Sequence, residues 1–288
     1  MAGTERKVVG RVEALWRYPV KSMLGEQVTA GLVGGRGLAG DRRLALVDRE
    51  TGSVATAKNP RRWRSLLEIR AETLDDGDVL LHLPGGRAVV AGDPKAADVL
   101  SEFLGRPVSV AAEAAPGARL ERAAPEEVLE RGVEADVEVT TIEVAAASPP
   151  GTFFDFSPMQ FVTTASLERA GTFHPAGRVD AVRYRPNIVI RTDPALAGFV
   201  ENDWVGRRLH LGPEVVLEVL VPSPRCAVPT LAHGSLPRDP DALRVPARHN
   251  YVEVPIDGFG AAPCLGAHAA VAQGGLISAG DEVWLAAG

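Results

Sequence analysis

The run Val8-Val-Gly-Arg-Val-Glu-Ala-Leu15 and the motif Tyr18-Pro19-Val20-Lys21-Ser22 that follows it decide the fold class. The valines favour a strand, and proline, which cannot donate to a sheet ladder, ends or bends it. Similar runs bounded by Gly, Pro or Asp recur at 43–47, 79–83, 108–111, 187–191, 215–221 and 282–285. Because they do not alternate strictly with helices, we predict a mainly β, barrel-like fold with a few helices (α+β) rather than a doubly wound sheet.

The predicted helices are short. Asp93 and Pro94 suit an N-cap and a first helical position, and Gly105 suits the residue after a helix end, so we predict a helix over 94–104. Further helices are predicted at 125–131 and 164–171. The stretch 112–138 is rich in Ala, Glu, Arg and Pro, which is typical of a linker. We expect an N-terminal domain at 5–115, a linker with a short helix at 116–139 and a C-terminal domain at 140–288.

The composition excludes several classes of protein. The 288 residues include 31 Lys and Arg against 37 Asp and Glu, a formal charge of −6, which argues against a nucleic-acid binder. A local basic pocket for one small anion remains compatible with this charge. The first residues lack the apolar core of a signal peptide, and no apolar run is long enough to span a bilayer, so we expect a cytoplasmic protein without a membrane span. Two cysteines are too few for a disulfide scaffold or a structural zinc site.

Two basic motifs are candidates for anion binding. Lys21 and Ser22 are expected on the loop after the first strand, where an ammonium beside a hydroxyl suits a phosphate clamp; the alternative is a solvated lysine at a strand end. Only four of the 31 basic residues are lysines, so a lysine is less often expected by chance at any one position, and its presence in a motif carries more weight. Arg42 follows a glycine-rich turn and Asp41, and its planar guanidinium could bind an anion. The alternative there is a surface Asp–Arg pair of little energetic value.

Two other polar pairs adjoin apolar segments. Asp155 and Ser157 lie in Phe153-Phe-Asp-Phe-Ser-Pro158, either as ordinary residues at a core edge or as hydrogen-bonding partners of a nitrogen-rich ligand. Arg185 and Asn187 flank Pro186 at the start of a predicted strand. Side chains two residues apart on a strand share a face, so we expect both to point the same way.

Cys226 is the candidate nucleophile or metal ligand. It follows Arg225 on a proline-rich loop after the strand 215–221, and an adjacent guanidinium favours the thiolate form. A soft thiolate suits a molybdenum centre whose other ligands are sulfur and oxo groups. The alternative is a small buried hydrophobic residue. Cys264 has no basic neighbour in the sequence and is interpreted as structural.

Taken in order, these motifs resemble the two-domain MOSC proteins, the group that includes the mitochondrial amidoxime-reducing component and bacterial relatives. The resemblance rests on Tyr-Pro-Val-Lys-Ser, Gly-Asp-Arg, Ser-Pro followed by Ala-Ser-Leu, Arg-Pro-Asn-Ile-Val-Ile and Arg-Cys. It implies an N-terminal MOSC-type β-barrel, a C-terminal MOSC domain and a molybdenum–molybdopterin cofactor. The residues that it implies for this cofactor are Lys21, Ser22, Arg42, Asp155, Ser157, Arg185, Asn187 and Arg225 as contacts, with Cys226 as catalytic residue and metal ligand.

The resemblance also implies an activity. We expect a molybdenum-dependent oxidoreductase that reduces small N-hydroxylated or N-oxide compounds. No plant-type iron–sulfur segment with its cysteine spacing is present, so electrons would come from a separate protein of the iron–sulfur, flavin or haem type. The alternative is a carrier of molybdenum cofactor or sulfur that uses Cys226. A third possibility, a β-barrel interaction module without a cofactor, leaves the Lys, Arg and Cys set unexplained.

Overall fold

The structure is a computed structural model that describes residues 6–257 and 259–286. These residues form nineteen strands and five α-helices, which confirms the mainly β class. The strands are β1 (Arg6–Arg17), β2 (Glu26–Val28), β3 (Ala30–Gly34), β4 (Gly37–Leu38), β5 (Ala45–Asp48), β6 (Arg70–Thr73), β7 (Val79–His82), β8 (Ala88–Val90), β9 (Val108–Ala111), β10 (Arg119–Ala123), β11 (Val139–Glu143), β12 (Met159–Thr163), β13 (Ile188–Thr192), β14 (Arg208–Leu211), β15 (Val215–Pro224), β16 (Tyr251–Glu253), β17 (Ala261–Gln273), β18 (Gly275–Ser278) and β19 (Glu282–Ala286). The helices are α1 (Pro60–Trp63), α2 (Ala96–Leu104), α3 (Pro125–Arg131), α4 (Thr164–Gly171) and α5 (Asp241–His249).

A closed seven-stranded barrel is the centre of the fold. Its order is β12-β13-β1-β19-β14-β15-β17, and β17 pairs with β12 to close the ring. Only the β12–β13 pair is parallel. Alternate residues point inward along each strand, so the barrel encloses a continuous apolar core that includes Leu15, Phe161, Ile188 and Leu217. Because β1 pairs with β13 and β19, the first strand of the chain is an integral part of this barrel.

A second apolar core lies in the N-terminal part of the chain. It is covered by the pair β5–β9, the three strands β6-β7-β8 and helix α2. Buried members include Met23, Trp63, Leu66, Leu81 and Leu100. The two largest apolar clusters are separate, which agrees with a two-part architecture, whereas the domain limits near residues 115 and 140 stay a prediction.

Most predicted elements are present. All seven predicted strands form, and 108–111, 125–131 and 164–171 have the same limits as β9, α3 and α4. Gly105 ends α2 in the left-handed region, with φ 66°. The predicted start of α2 was wrong, because the helix begins at Ala96. The carboxylate of Asp93 accepts a hydrogen bond from the Lys95 N–H, which makes a turn ahead of the helix.

Three strands that the sequence did not predict contribute residues to the site. β10 and β11 pair antiparallel across the segment predicted as a linker, with α3 between them. β17 consists mainly of alanine and other small residues, which have weak intrinsic strand preference. Within the described ranges no helix has both the length and the apolar character needed to cross a bilayer.

Candidate functional site

A cavity of about 360 Å³ brings most of the predicted site residues together. Its walls come from the loop after β1, the segments before β12 and β13, and the loop that follows β15. The predicted residues that line it are Lys21, Ser22, Arg42, Asp155, Arg185, Arg225 and Cys226. Ser157 and Asn187 are buried outside its wall. The volume lies in the range of small-molecule sites.

Lys21 lies on the predicted loop, and its ammonium is buried at the cavity wall. Its Nζ donates to the Asp155 carboxylate at 2.5 Å and to the carbonyl of Phe153 at 2.7 Å. Burial lowers the pKa of Lys21 to about 8, although the carboxylate of Asp155 opposes this effect. The neighbouring Ser22 has a φ of 64°, and its Oγ accepts a hydrogen bond from the Ala57 N–H. The chain therefore turns sharply here and keeps the ammonium inside the cavity.

Asp155 lies between two ammonium groups. Its second carboxylate oxygen is 3.1 Å from Nζ of Lys58. Burial opposes ionisation of Asp155, but Lys21 and Lys58 outweigh it and hold the pKa of this carboxyl well below its usual range. Lys58 lines the same cavity and was not predicted as a site residue. The scarcity of lysine in the chain was the one signal that pointed to it.

Two arginines contact the same aromatic ring. The guanidinium groups of Arg42 and Arg185 lie 4.9 and 4.3 Å from the ring centroid of Tyr18, which is fully buried. Arg42 is ion-paired with Asp41, whereas Nη2 of Arg185 is buried without a hydrogen-bond partner. Burial, together with the nearby Arg42, lowers the pKa of Arg185 to about 10. The guanidinium of Arg185 therefore keeps one hydrogen-bond donor that no protein group uses.

Arg185 and Asn187 do not face the same way, contrary to the expectation from the sequence. Arg185 has a φ of 55°, so the alternation of an extended strand does not apply across Pro186. The Asn187 side chain accepts from the Gln160 N–H and donates to the carbonyl of Trp16. Asn187 thus connects β1 and β12, while Arg185 lines the cavity.

Ser157 lies behind the wall of the cavity. Its Oγ donates to the carbonyl of Met159 and is 3.1 Å from Nδ1 of His268. His268 does line the cavity. Burial lowers the pKa of His268 to about 3, so this imidazole is neutral at pH 7. The hydroxyl of Ser157 is therefore placed to orient His268.

Arg225 and Cys226 follow β15 and lie side by side at the wall. The buried guanidinium of Arg225 donates to the carbonyls of Ser223 and Tyr184, which fixes its position. Burial lowers the pKa of Arg225. Cys226 is half-buried and carries a free thiol, and one side of it packs in the cluster that contains Ala57 and Leu67. Cys264 is fully buried, and burial raises the pKa of its thiol to about 12.

The cavity as a whole suits an anionic ligand rich in acceptors. A second buried donor without a hydrogen-bond partner, Nε2 of Gln160, belongs to a residue that lines it. Among the residues that the structure describes, no group of three or more His, Cys, Asp or Glu could hold a metal by itself. The charged residues of the lining are seven cations and two carboxylates: Lys21, Arg42, Lys58, Arg122, Arg183, Arg185 and Arg225 against Glu143 and Asp155.

Comparison with known proteins gives a family. Residues 9–114 match the MOSC N-terminal beta barrel domain, and residues 151–284 match the MOSC domain. No curated protein matches the chain significantly. A solved structure of the YuaD protein from Bacillus subtilis is similar, with 12% identity, 99% of each chain covered and a TM-score of 0.48. MOSC domains are associated with molybdenum cofactor sulfurase-like proteins. The two matches span most of the sequence, and the chain belongs to the MOSC domain family.

Proposed function

We propose that the cavity binds a molybdenum–molybdopterin cofactor and that Cys226 is its protein ligand. The observation that carries this proposal is that a half-buried thiol shares one cavity with buried donors that have no protein partner, Nη2 of Arg185 and Nε2 of Gln160. Cations and neutral donors around a soft sulfur ligand fit a cofactor that has a phosphate, a pterin and a metal with sulfur ligands.

The cationic residues have a defined role in this proposal. Lys21, Lys58 and Arg42 bind the anionic part of the cofactor, and Arg185 and Gln160 donate to its acceptor atoms. The Lys21 ammonium is charged at pH 7 because its pKa is about 8. Asp155 keeps Lys21 and Lys58 in position and can accept hydrogen bonds from ring N–H groups.

We propose further that the loaded protein reduces N-hydroxylated or N-oxide compounds with electrons from a separate partner protein. When bound, the molybdenum centre supplies the redox chemistry, and the chain supplies orientation, exclusion of water and the thiolate ligand. The neutral imidazole of His268, oriented by Ser157, lines the same cavity and is available to hydrogen-bond a bound molecule.

A second candidate function is that of a cofactor or sulfur carrier. One observation favours it: Cys226 is only half-buried and lies on a loop, so a group held on its sulfur would be accessible to another protein.

The test is to purify the protein from a host that makes molybdenum cofactor and to measure molybdenum and pterin per chain. We expect near-stoichiometric amounts of both in the wild type and in the matched control Cys264→Ala. Cys226→Ser should lose molybdenum and keep a measurable fraction of pterin. Absence of metal and pterin from the wild type would contradict both functions. Full loading without reduction of any N-hydroxylated compound by an artificial donor would favour the carrier.

A further inference from the structure

Part of the cavity lining is apolar. Its four largest hydrocarbon side chains are here called the apolar wall: Ile142, Phe156, Ile256 and Phe259. Phe259 keeps 39% of its surface exposed. Apolar surface left in water costs about 25 cal/mol per Å², and a large exposed ring beside a cavity is typical of a binding surface.

Two members of the apolar wall pack together. Ile256 and Phe156 pack against one buried cluster that contains Val254 and Cys264. The ring of Phe156 also contacts His268 edge to face, with 5.4 Å between ring centroids. The phenyl group of Phe156 therefore lies next to the imidazole that lines the cavity.

Backbone hydrogen bonds connect the segment that carries Ile256 and Phe259 to the loop that carries the thiol. β16 and β17 form a hairpin in which Tyr251 is opposite Pro263, and the Phe259 N–H donates to the carbonyl of Ile256 in the connecting segment. The Arg225 N–H donates to the carbonyl of Pro263. Arg225, the neighbour of Cys226, is therefore bonded to the hairpin whose connecting segment carries Ile256 and Phe259, whereas Lys21 and Lys58 come from the N-terminal part of the chain.

We propose that the apolar wall is the substrate subsite and that it binds the non-reacting aromatic or branched alkyl group of an N-oxygenated substrate. This inference rests on the proposed function, in which the reacting N–O group faces Cys226. Because the four side chains carry no charge or hydrogen-bonding group, the subsite selects by apolar area. Substrates with a phenyl group are favoured over substrates in which a methyl group replaces it.

The test compares two substrates with the same reacting group, benzamidoxime and acetamidoxime, in the cofactor-loaded protein with an artificial electron donor. For Phe259→Ala we expect kcat/KM for benzamidoxime to fall about tenfold, through KM, while acetamidoxime is unchanged. Tyr251→Ala is the matched control, since Tyr251 is an exposed aromatic residue on the same hairpin that does not line the cavity. Equal effects on both substrates, or no effect on either, would overturn the subsite.

A binding measurement separates this inference from the proposed function. Saturation-transfer NMR on the loaded protein reports whether the phenyl protons of benzamidoxime contact the chain. We expect transfer in the wild type and in Tyr251→Ala, and a loss of at least half of it in Phe259→Ala. Saturation transfer to benzamidoxime without its reduction would contradict the proposed reductase function and leave the subsite in place. Reduction of benzamidoxime with equal saturation transfer in the wild type, Tyr251→Ala and Phe259→Ala would contradict the subsite alone.

Discussion

The ammonium of Lys21 lies 2.5 Å from a carboxylate oxygen of Asp155, and this pair joins residues 134 positions apart in the chain. Lys21 follows β1, and Asp155 precedes β12. Removing two charges from water costs about as much as their attraction returns, so such a pair adds little net stability. Its consequence is positional, because it holds an ammonium at the cavity wall where an anion can bind.

The pH dependence of stability should reveal the buried ammonium. The pKa of Lys21 falls from 10.5 to about 8 on folding, with burial as the main cause. Between these pH values the unfolded chain holds a proton that the folded chain has released, so the free energy of unfolding rises with pH. Relative to Lys21→Met, the wild type should gain roughly 3 kcal/mol from pH 8 to 10.5, measured by urea denaturation. The exposed Lys95→Met is the control, and a flat difference for Lys21→Met would contradict the burial of a charged amine.

Arg185 and Asn187 should separate binding from stability. Arg185→Ala removes a buried guanidinium whose Nη2 has no hydrogen-bond partner and which lies near the positive charge of Arg42. We therefore expect little loss of stability, together with at least a tenfold weaker retention of pterin. Asn187→Ala leaves the Gln160 N–H and the Trp16 carbonyl without partners, and we expect a loss of about 1–3 kcal/mol. Denaturation midpoints and pterin content after dialysis test both variants. Pterin loss in Asn187→Ala at full stability would place Asn187 among the cofactor contacts instead.

Closure of the barrel should depend on one glycine. Gly266 in β17 has a φ of 77°, and a Cβ there would lie 2.4 Å from the carbonyl oxygen of Phe161 in β12. Because a backbone atom cannot move aside cheaply, Gly266→Ala should cost about 3 kcal/mol or more. Gly177 also has a positive φ but faces open space, so Gly177→Ala should cost about 1 kcal/mol. Equal thermal shifts in the two variants would contradict this explanation.

The buried carboxyl of Glu201 should make the free energy of unfolding change with pH in the direction opposite to that caused by Lys21. Glu201 accepts a hydrogen bond from the Thr163 N–H at 2.6 Å and pairs with the Ser166 hydroxyl, and burial raises its pKa above 4.5. The folded chain then keeps a proton that the unfolded chain loses above pH 4.5, so the free energy of unfolding falls as pH rises through this range. Glu201→Gln should lack this decline. Glu168→Gln, on the exposed part of α4, controls for the loss of a negative charge. If the free energy of unfolding of Glu201→Gln changed with pH as steeply as that of the wild type, this prediction would be wrong.

Much of the fold could be predicted because single residue types prefer particular backbone conformations. Valine-rich runs form strands almost wherever they occur, and Gly105 ends α2 because glycine adopts a positive φ without strain. Pro19 follows the end of β1, which leaves Lys21 on a loop as predicted. β17 was missed because its small residues have weak strand preference, and it forms because β12, β15 and β16 supply pairing partners.

Residue patterns along the chain were enough to predict the strand-rich class, the loops that carry Lys21, Ser22 and Cys226, and the resemblance to the MOSC family. Which side chains meet could be read only from the folded chain. Closure of the barrel places Arg185 and Cys226 on one cavity with Lys58, and it directs Asn187 and Ser157 into hydrogen bonds within the protein. The physical reason is that a local pattern fixes only the backbone conformation of a segment. Which distant side chains share a wall depends on strand pairing and burial across the whole chain.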